Sequence, residues 1–250
     1  MLRTQIFTVD TIAPLTPVLT SMSVATDSGI SGTDRLTRNT MPMFNGTAEP
    51  GSRVSLFLGN STTAFANVTA DQDGNWSAAL STALNTAGNY SVRGKATDLA
   101  GNASSLGAAL NFVFDNIAPT SSMTAVAEDD AINAQDKTKG VTLSGSTEAG
   151  AQLSLTLGTG STQRSVTPTL NGNSWSYTLS ADDYAALGEG TDKNLSLTAT
   201  DAAGNSTTVS RSIAIFTSAL AAPGLPDLLA ADDNGASSTD NQTSNTTPRI

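Results

Sequence analysis

"AQLSLTLG" at 151–158 sets Leu153, Leu155 and Leu157 on one face of an extended segment, and Gln152, Ser154 and Thr156 on the other. A period of two marks a strand with one face buried and the other in water. The alternation recurs along the chain. Trp76, Ala78 and Leu80 are matched by Trp175, Tyr177 and Leu179, and Tyr90, Val92 and Ala96 lie inward of Ser91, Arg93 and Lys95. Turn-forming residues interrupt such runs about every ten positions. The pattern predicts an all-β chain in which "SADDYAALGEG" (180–190) makes one helical turn at most.

The chain also repeats itself. "DTIAP" ends at Pro14, "DNIAP" at Pro119 and "LAAP" at Pro223, spacings of 105 and 104 residues. "GTAEPG" (46–51) returns as "GSTEAG" (145–150), "GNWSAAL" (74–80) as "NSWSYTL" (173–179), and "TDLAGN" (97–102) as "TDAAGN" (200–205). The expected organisation is the last strand of a preceding repeat at 1–9, whole repeats at 10–115 and 116–218, and the start of an incomplete third at 219–250. About seven strands in roughly 100 residues is the size of an immunoglobulin-like sandwich.

Composition narrows the chemistry. The 250 residues carry a formal net charge of −10, which disfavours nucleic acid and anionic membranes and favours a divalent cation or a basic surface. With no Cys and no His, disulfides, structural zinc, thiol nucleophiles and His-based triads are excluded, and the chain is expected not to be an enzyme. Of the 22 acidic residues only Glu49, Glu128, Glu148 and Glu189 are Glu, and Asp is the carboxylate that loops and hard-cation sites favour. "MLRTQIFTVD" lacks the order of a signal peptide, so an export address is expected outside these residues.

The succession "DTIAP", "DSGISGTD", "GTAEPGSRV", "DGNW", "TDLAGN" resembles the bacterial immunoglobulin-like repeats of giant secreted, biofilm-associated and type I secreted adhesins. The resemblance covers essentially the whole chain and implies tandem seven-stranded β-sandwiches arranged end to end. It also implies an extracellular or cell-surface location and a role as a calcium-stiffened stalk in cell adhesion or biofilm formation. Its partners would be adjacent repeats of the same chain, and a host or matrix ligand would be met by other parts of the parent protein. The alternative is a binding module whose own loops contact a host glycan or protein.

Strand parity locates a metal site without the family. If sequential strands reverse at each turn, the chain enters a sandwich at one pole and leaves at the other, so the loop after one repeat's first strand meets the loop after the next repeat's sixth. An eight-residue Asp-to-Asp frame stands at "DSGISGTD" (27–34), "DDAINAQD" (129–136) and "DNGASSTD" (233–240). The expected Ca²⁺ ligands at the first junction are Asp27, Asp34 and Asp115, with Asp201 and Asn205 from the following repeat. Asp10 and Asp98 serve the junction before it; Asp129, Asp130 and Asp136 serve the one after, and Asp233 and Asp240 form the third frame. Turn chemistry is the competing account, evenly balanced for Asp98 and Asp201, which are equally suited to capping their own loops. "DQDGN" (71–75) reads as a hairpin turn, because its counterpart "LNGNS" (170–174) has no carboxylate.

Overall fold

The structure, a computed structural model, describes residues 8–219, 227–229, 231–233, 237 and 242–249. In the first repeat β1 (Val18–Met22), β3 (Met43–Thr47) and β6 (Asn75–Ala79) form one sheet in the order β1-β3-β6. A second sheet, in the order β2-β8-β7-β4-β5, combines β2 (Leu36–Thr37), β8 (Leu110–Phe114), β7 (Gly88–Thr97), β4 (Arg53–Leu58) and β5 (Ala66–Thr69). Met22, Phe44 and Trp76 from the first sheet share a core with Val54, Leu56, Val92, Phe112 and Phe114 from the second. Alternation along each strand puts these residues inward, and their removal from water is the main force holding the sandwich closed.

The second repeat is built alike. It contains β9 (Ala131–Asn133), β10 (Thr142–Ser146), β11 (Gln152–Leu157), β12 (Arg164–Val166), β13 (Thr169–Asn171), β14 (Ser174–Thr178), β15 (Gly190–Thr200) and β16 (Ser206–Phe216). The sheets β10-β14-β13 and β12-β11-β15-β16-β9 enclose a core that includes Leu143, Leu155, Trp175, Leu197 and Ile215. Residues 217–250 form a separate unit. No helix among the described residues is long and apolar enough to cross a membrane.

Two expectations need correction. Each repeat has eight strands rather than seven: in the first the leading segment divides between the sheets as β1 and β2, and in the second the segment 164–171 divides as β12, on β11, and β13, on β14. β1 pairs antiparallel with β3, whereas β2 runs parallel to β8; β9 likewise runs parallel to β16, while Ser122 and Thr124 donate to β10 carbonyls. There are also two short helices, α1 (Ala134–Lys139) and α2 (Ala181–Leu187), where one turn at most was expected. Each opens with a capping box, Asn133 with Asp136 and Ser180 with Asp183, which satisfies first-turn amides in segments too short to show a 3.6-residue period.

The indole of each core Trp lies over a strand glycine. A Cβ on Gly145 would stand 2.1 Å from the Ser122 carbonyl oxygen and 2.7 Å from Trp175 Nε1, the nitrogen that donates to that carbonyl at 2.9 Å. Gly145→Ala is therefore expected to destabilise the second repeat by about 1–3 kcal/mol through overpacking. Urea unfolding followed by tryptophan fluorescence measures it, and an unchanged midpoint would mean that the strands separate without cost.

Candidate functional site: the junction between the repeats

The loop that leaves β1 turns sharply before β2. Thr26 and Asp27 amides both donate to the Ser23 carbonyl at 2.8 Å, and the chain then runs out through Ser28, Gly29 and Ile30. That excursion meets the β15–β16 loop of the second repeat. Ser28 Oγ donates to the Ala203 carbonyl at 2.8 Å, and the Ile30 amide donates to the Ala202 carbonyl at 3.2 Å. Ala203 is buried at 1% exposure, whereas Ala100, at the corresponding point of the first repeat, is exposed.

The approach is of backbone on backbone and depends on glycine. Gly29 has φ +101°, and a Cβ there would fall 2.0 Å from Ala202 O; a Cβ on Gly204 would come within 3.0 Å of Gly29 Cα. Neither contact tolerates a side chain. The linker is held at the same place, since Asn205 Nδ2 donates to the Asp115 carbonyl at 2.9 Å. An identical clip closes the other pole of the first repeat, where Asn102 Nδ2 donates to the Asp10 carbonyl at 3.1 Å.

Around this contact the expected ligands separate into two groups. Most have carboxylates engaged locally. Asp10 and Asp115 each accept through Oδ1 from the amide two residues on, Ile12 and Ile117, at 3.0 Å. Asp98 accepts from the amide and side chain of Asn102, both at 2.8 Å, and the side-chain bond holds its carboxyl below the usual value. Asp201, 5% exposed, accepts from Asn205 in the same way at 2.8 and 3.0 Å.

Asp27 is the exception. It is 5% exposed; Oδ2 accepts from the Arg35 amide at 3.1 Å, and Oδ1 is buried with no hydrogen-bond partner. Burial pushes its carboxyl above the ordinary range; the Arg35 amide opposes the shift and the nearby Asp34 charge adds to it. Asp34 itself accepts from the Leu36 amide at 3.0 Å. Among the described residues no group of three or more carboxylates converges closely enough to hold a metal ion.

The second Asp frame is a different structure, which corrects the expectation of one recurring loop. Asp129 accepts from the Ala131 amide as Asp34 does from Leu36, and Arg35 and Asp130 both take left-handed backbone, at φ 62° and 63°, immediately before β2 and β9. The end of the first frame thus corresponds to the start of the second, whose remaining residues form β9 and α1. Asp130 accepts from the Val126 amide at 2.9 Å and pairs with Arg211 at 2.6 Å; Asp136 caps α1 by accepting from the Asn133 amide at 3.1 Å. In the separate unit, Asp233 is 3% exposed and its amide donates to the Leu229 carbonyl at 3.0 Å, repeating the Asp27–Ser23 turn, while Asp240 lies outside the described residues.

Sequence reasoning missed Gly29, Gly204 and Arg211. Asn102 was accessible from its match to Asn205, and the glycines from their places in "DSG" and "AAGN"; Arg211 gives no local signal.

Comparison with known proteins follows this geometry. Residues 12–116 match the bacterial Ig-like domain family. The first repeat is thus similar to bacterial Ig-like domains. No curated protein matches the chain. Among solved structures, a Ca²⁺-stabilised adhesin that helps an Antarctic bacterium bind ice is 22% identical, with 82% of this chain and 49% of that chain covered and a TM-score of 0.45. A 1.5-MDa bacterial ice-binding adhesin is 21% identical, covering 82% and 66%, also at 0.45. Fibronectin(III)-like modules from Clostridium thermocellum are 14% identical, covering 80% and 94%, at 0.43. The chain therefore spans from half to about two-thirds of the two adhesin structures.

The raised Asp27 carboxyl has a definite pH signature. A group whose folded value lies above its unfolded one contributes stability that is present below the unfolded value and is lost as pH rises through the folded value. In chelator, the stability of the wild type relative to Asp27→Asn should therefore fall as pH is raised from below 3.8 towards neutrality. Paired denaturation curves at stepped pH read this out, and a pH-independent difference would mean that another group already answers the carboxylate.

Proposed function

We propose that this chain is a stalk segment of a large bacterial surface adhesin, working outside the cell, in which Ca²⁺ stiffens the junction between consecutive Ig-like repeats. The observation that carries the reading is the Asp27 carboxylate, buried with Oδ1 unanswered in the loop that touches the next repeat. Its oxygen chemistry suits a hard divalent cation, which takes about 6–8 oxygens from carboxylates, carbonyls and water. Asp27 and Asp34 would supply the charge and the Gly- and Ser-rich loop the carbonyls. Asp115, Asp201 and Asn205 would act chiefly as the clip that brings the linker to the site.

Tandem units of about 105 residues support the stalk reading, as does a junction fixed by backbone contacts from both sides. The cation would cancel the charge that Asp27 and Asp34 place at the contact, and the loop would then be free to remain seated. The Asp233 turn, which repeats that of Asp27, supports further units of the same kind, with residues 10–115 and 116–218 as two of them.

Calcium titration of this chain, followed by thermal melting and small-angle scattering, tests the proposal. One site at a hundredfold excess over Kd adds about 2.7 kcal/mol. The melt is expected to move up by several degrees and the distribution of particle lengths to narrow, with Asp27→Ala abolishing both responses. Superimposable curves with calcium and with chelator would sink the calcium reading, and a response preserved in Asp27→Ala would place the ion elsewhere.

A further inference from the structure

The five strands of the sheet β2-β8-β7-β4-β5 contain no Asp or Glu, although the chain has 22 acidic residues against 12 Lys and Arg. They contain Arg53, Arg93 and Lys95 instead. Val54, Leu56, Val92 and Ala96 fill the core, so alternation turns all three cations to the outer face. Arg93 and Lys95 lie about 7 Å apart along β7. Arg93 is paired across the sheet with Phe57, Lys95 with Ser55, and Arg53 with Thr97. Among the described residues none of the three cations forms an ion pair.

The second repeat shows that the scaffold does not require this decoration. At the same cross-strand positions, Ser196 is paired with Thr156, Thr198 with Ser154, and Gln152 with Thr200. Those hydroxyls are absorbed within the sheet, as where Thr198 and Thr208 oxygens lie 2.9 Å apart. Two repeats of one architecture thus present one neutral outer face and one basic outer face on a chain of net charge −10. A cleft of about 810 Å³ lies towards the other end of β7, with Asn89, Asn111, Arg35 and the carboxylate of Asp34 in its wall, so the cationic part of the surface is the strand face itself.

We propose that this outer face of the first repeat binds an anionic polysaccharide, with Arg53, Arg93 and Lys95 meeting its carboxylate or sulfate groups. The Phe57 ring beside Arg93 offers an apolar surface to the C–H face of a sugar, and the Asn89 and Asn111 amides both donate to and accept from hydroxyls. Double-stranded DNA fits less well. Three cations neutralise few phosphates, and the surrounding negative field opposes so dense a polyanion. A flexible, sparsely charged chain carrying hydroxyls matches both the spacing of the cations and the amide-lined cleft. Arg53, Arg93 and Lys95 take no part in the calcium reading, and only the cleft shares a residue with it, Asp34.

The test is surface binding of the full chain, in calcium-free buffer, to immobilised alginate and heparin, with dextran as the neutral glycan and duplex DNA as the competing polyanion. The variant Arg53→Gln/Arg93→Ser/Lys95→Thr carries the residues of the second repeat, so it should fold, and an unchanged melt verifies this. Affinity for alginate, heparin or both is expected to fall at least about tenfold in the variant and to weaken with salt in the wild type. Ser196→Arg with Thr198→Lys should raise it. Binding to alginate alone would identify carboxylate as the recognised group, and to heparin alone, sulfate; either supports the proposal. Equal binding by wild type and variant, no binding to either acidic glycan, equal binding to dextran, or tighter binding to DNA would each overturn it.

Discussion

The Asp27 carboxylate is buried with one oxygen unanswered, and the arrangement of the junction depends on how that charge is tolerated. A buried polar atom without a partner costs about 1–3 kcal/mol, and a charged one more. The local fold makes the cost unavoidable. The turn from Ser23 carries Asp27 inward, the Arg35 amide fixes its other oxygen, and the loop continues to Gly29, where it meets the next repeat. Moving Asp27 outward would lift Ser28 from the Ala203 carbonyl. Docking and the buried charge are therefore one event, and neutralising the charge, by proton or by cation, favours the docked loop.

The second repeat holds a carboxylate near its leading strand with a cation of its own. Asp130, next to the strand that pairs with β16, is held by Arg211 from β16 itself, and Arg211 also donates to the Met123 carbonyl at 2.8 Å. A guanidinium built into the sheet is always present and always charged, so its carboxylate is answered whatever the solution contains. Asp27 has no such partner. The two repeats thus share a fold but differ in whether the carboxylate near the leading strand is paired with an arginine of the sheet.

Strand content was legible because burial enforces a period of two. Leu155, Leu157 and Leu197 are fully buried, as the alternation requires, and Trp76 and Trp175 fill their cores. The meeting of the 27–34 loop with the 201–205 loop also followed from parity alone. What alternation does not show is register. The Asp frames at 27–34 and 129–136 look alike in sequence, yet a left-handed residue and an Asx turn align the end of one with the start of the other. The helices escaped for a related reason: their signal is a capping pair, Asn133 with Asp136 and Ser180 with Asp183, rather than a period.

Eighteen aspartates in one chain also show why carboxylate density is a poor guide to a metal site. Asp71 accepts from the amides of Asp73 and Asn75 at 2.9 and 2.8 Å and closes a hairpin. Asp183, fully buried, accepts from Ser180 Oγ, the Ser180 amide and Tyr177 and pairs with Arg164, which together hold its carboxyl low despite the burial. Asp115 is used three times over: its amide donates to Thr37, its Oδ1 accepts from Ile117, and its carbonyl accepts from Asn205. In each case the short side chain does what Asp does in turns and caps, and the negative charge is compensated by donors already in place. An oxygen that can attract a cation is one for which folding has supplied no donor. That criterion separates Asp27, whose Oδ1 has neither a hydrogen bond nor the ion pair that Arg164 gives Asp183, from the clip carboxylates at Asp10, Asp98, Asp115 and Asp201, which recur between repeats as structural parts of the junction.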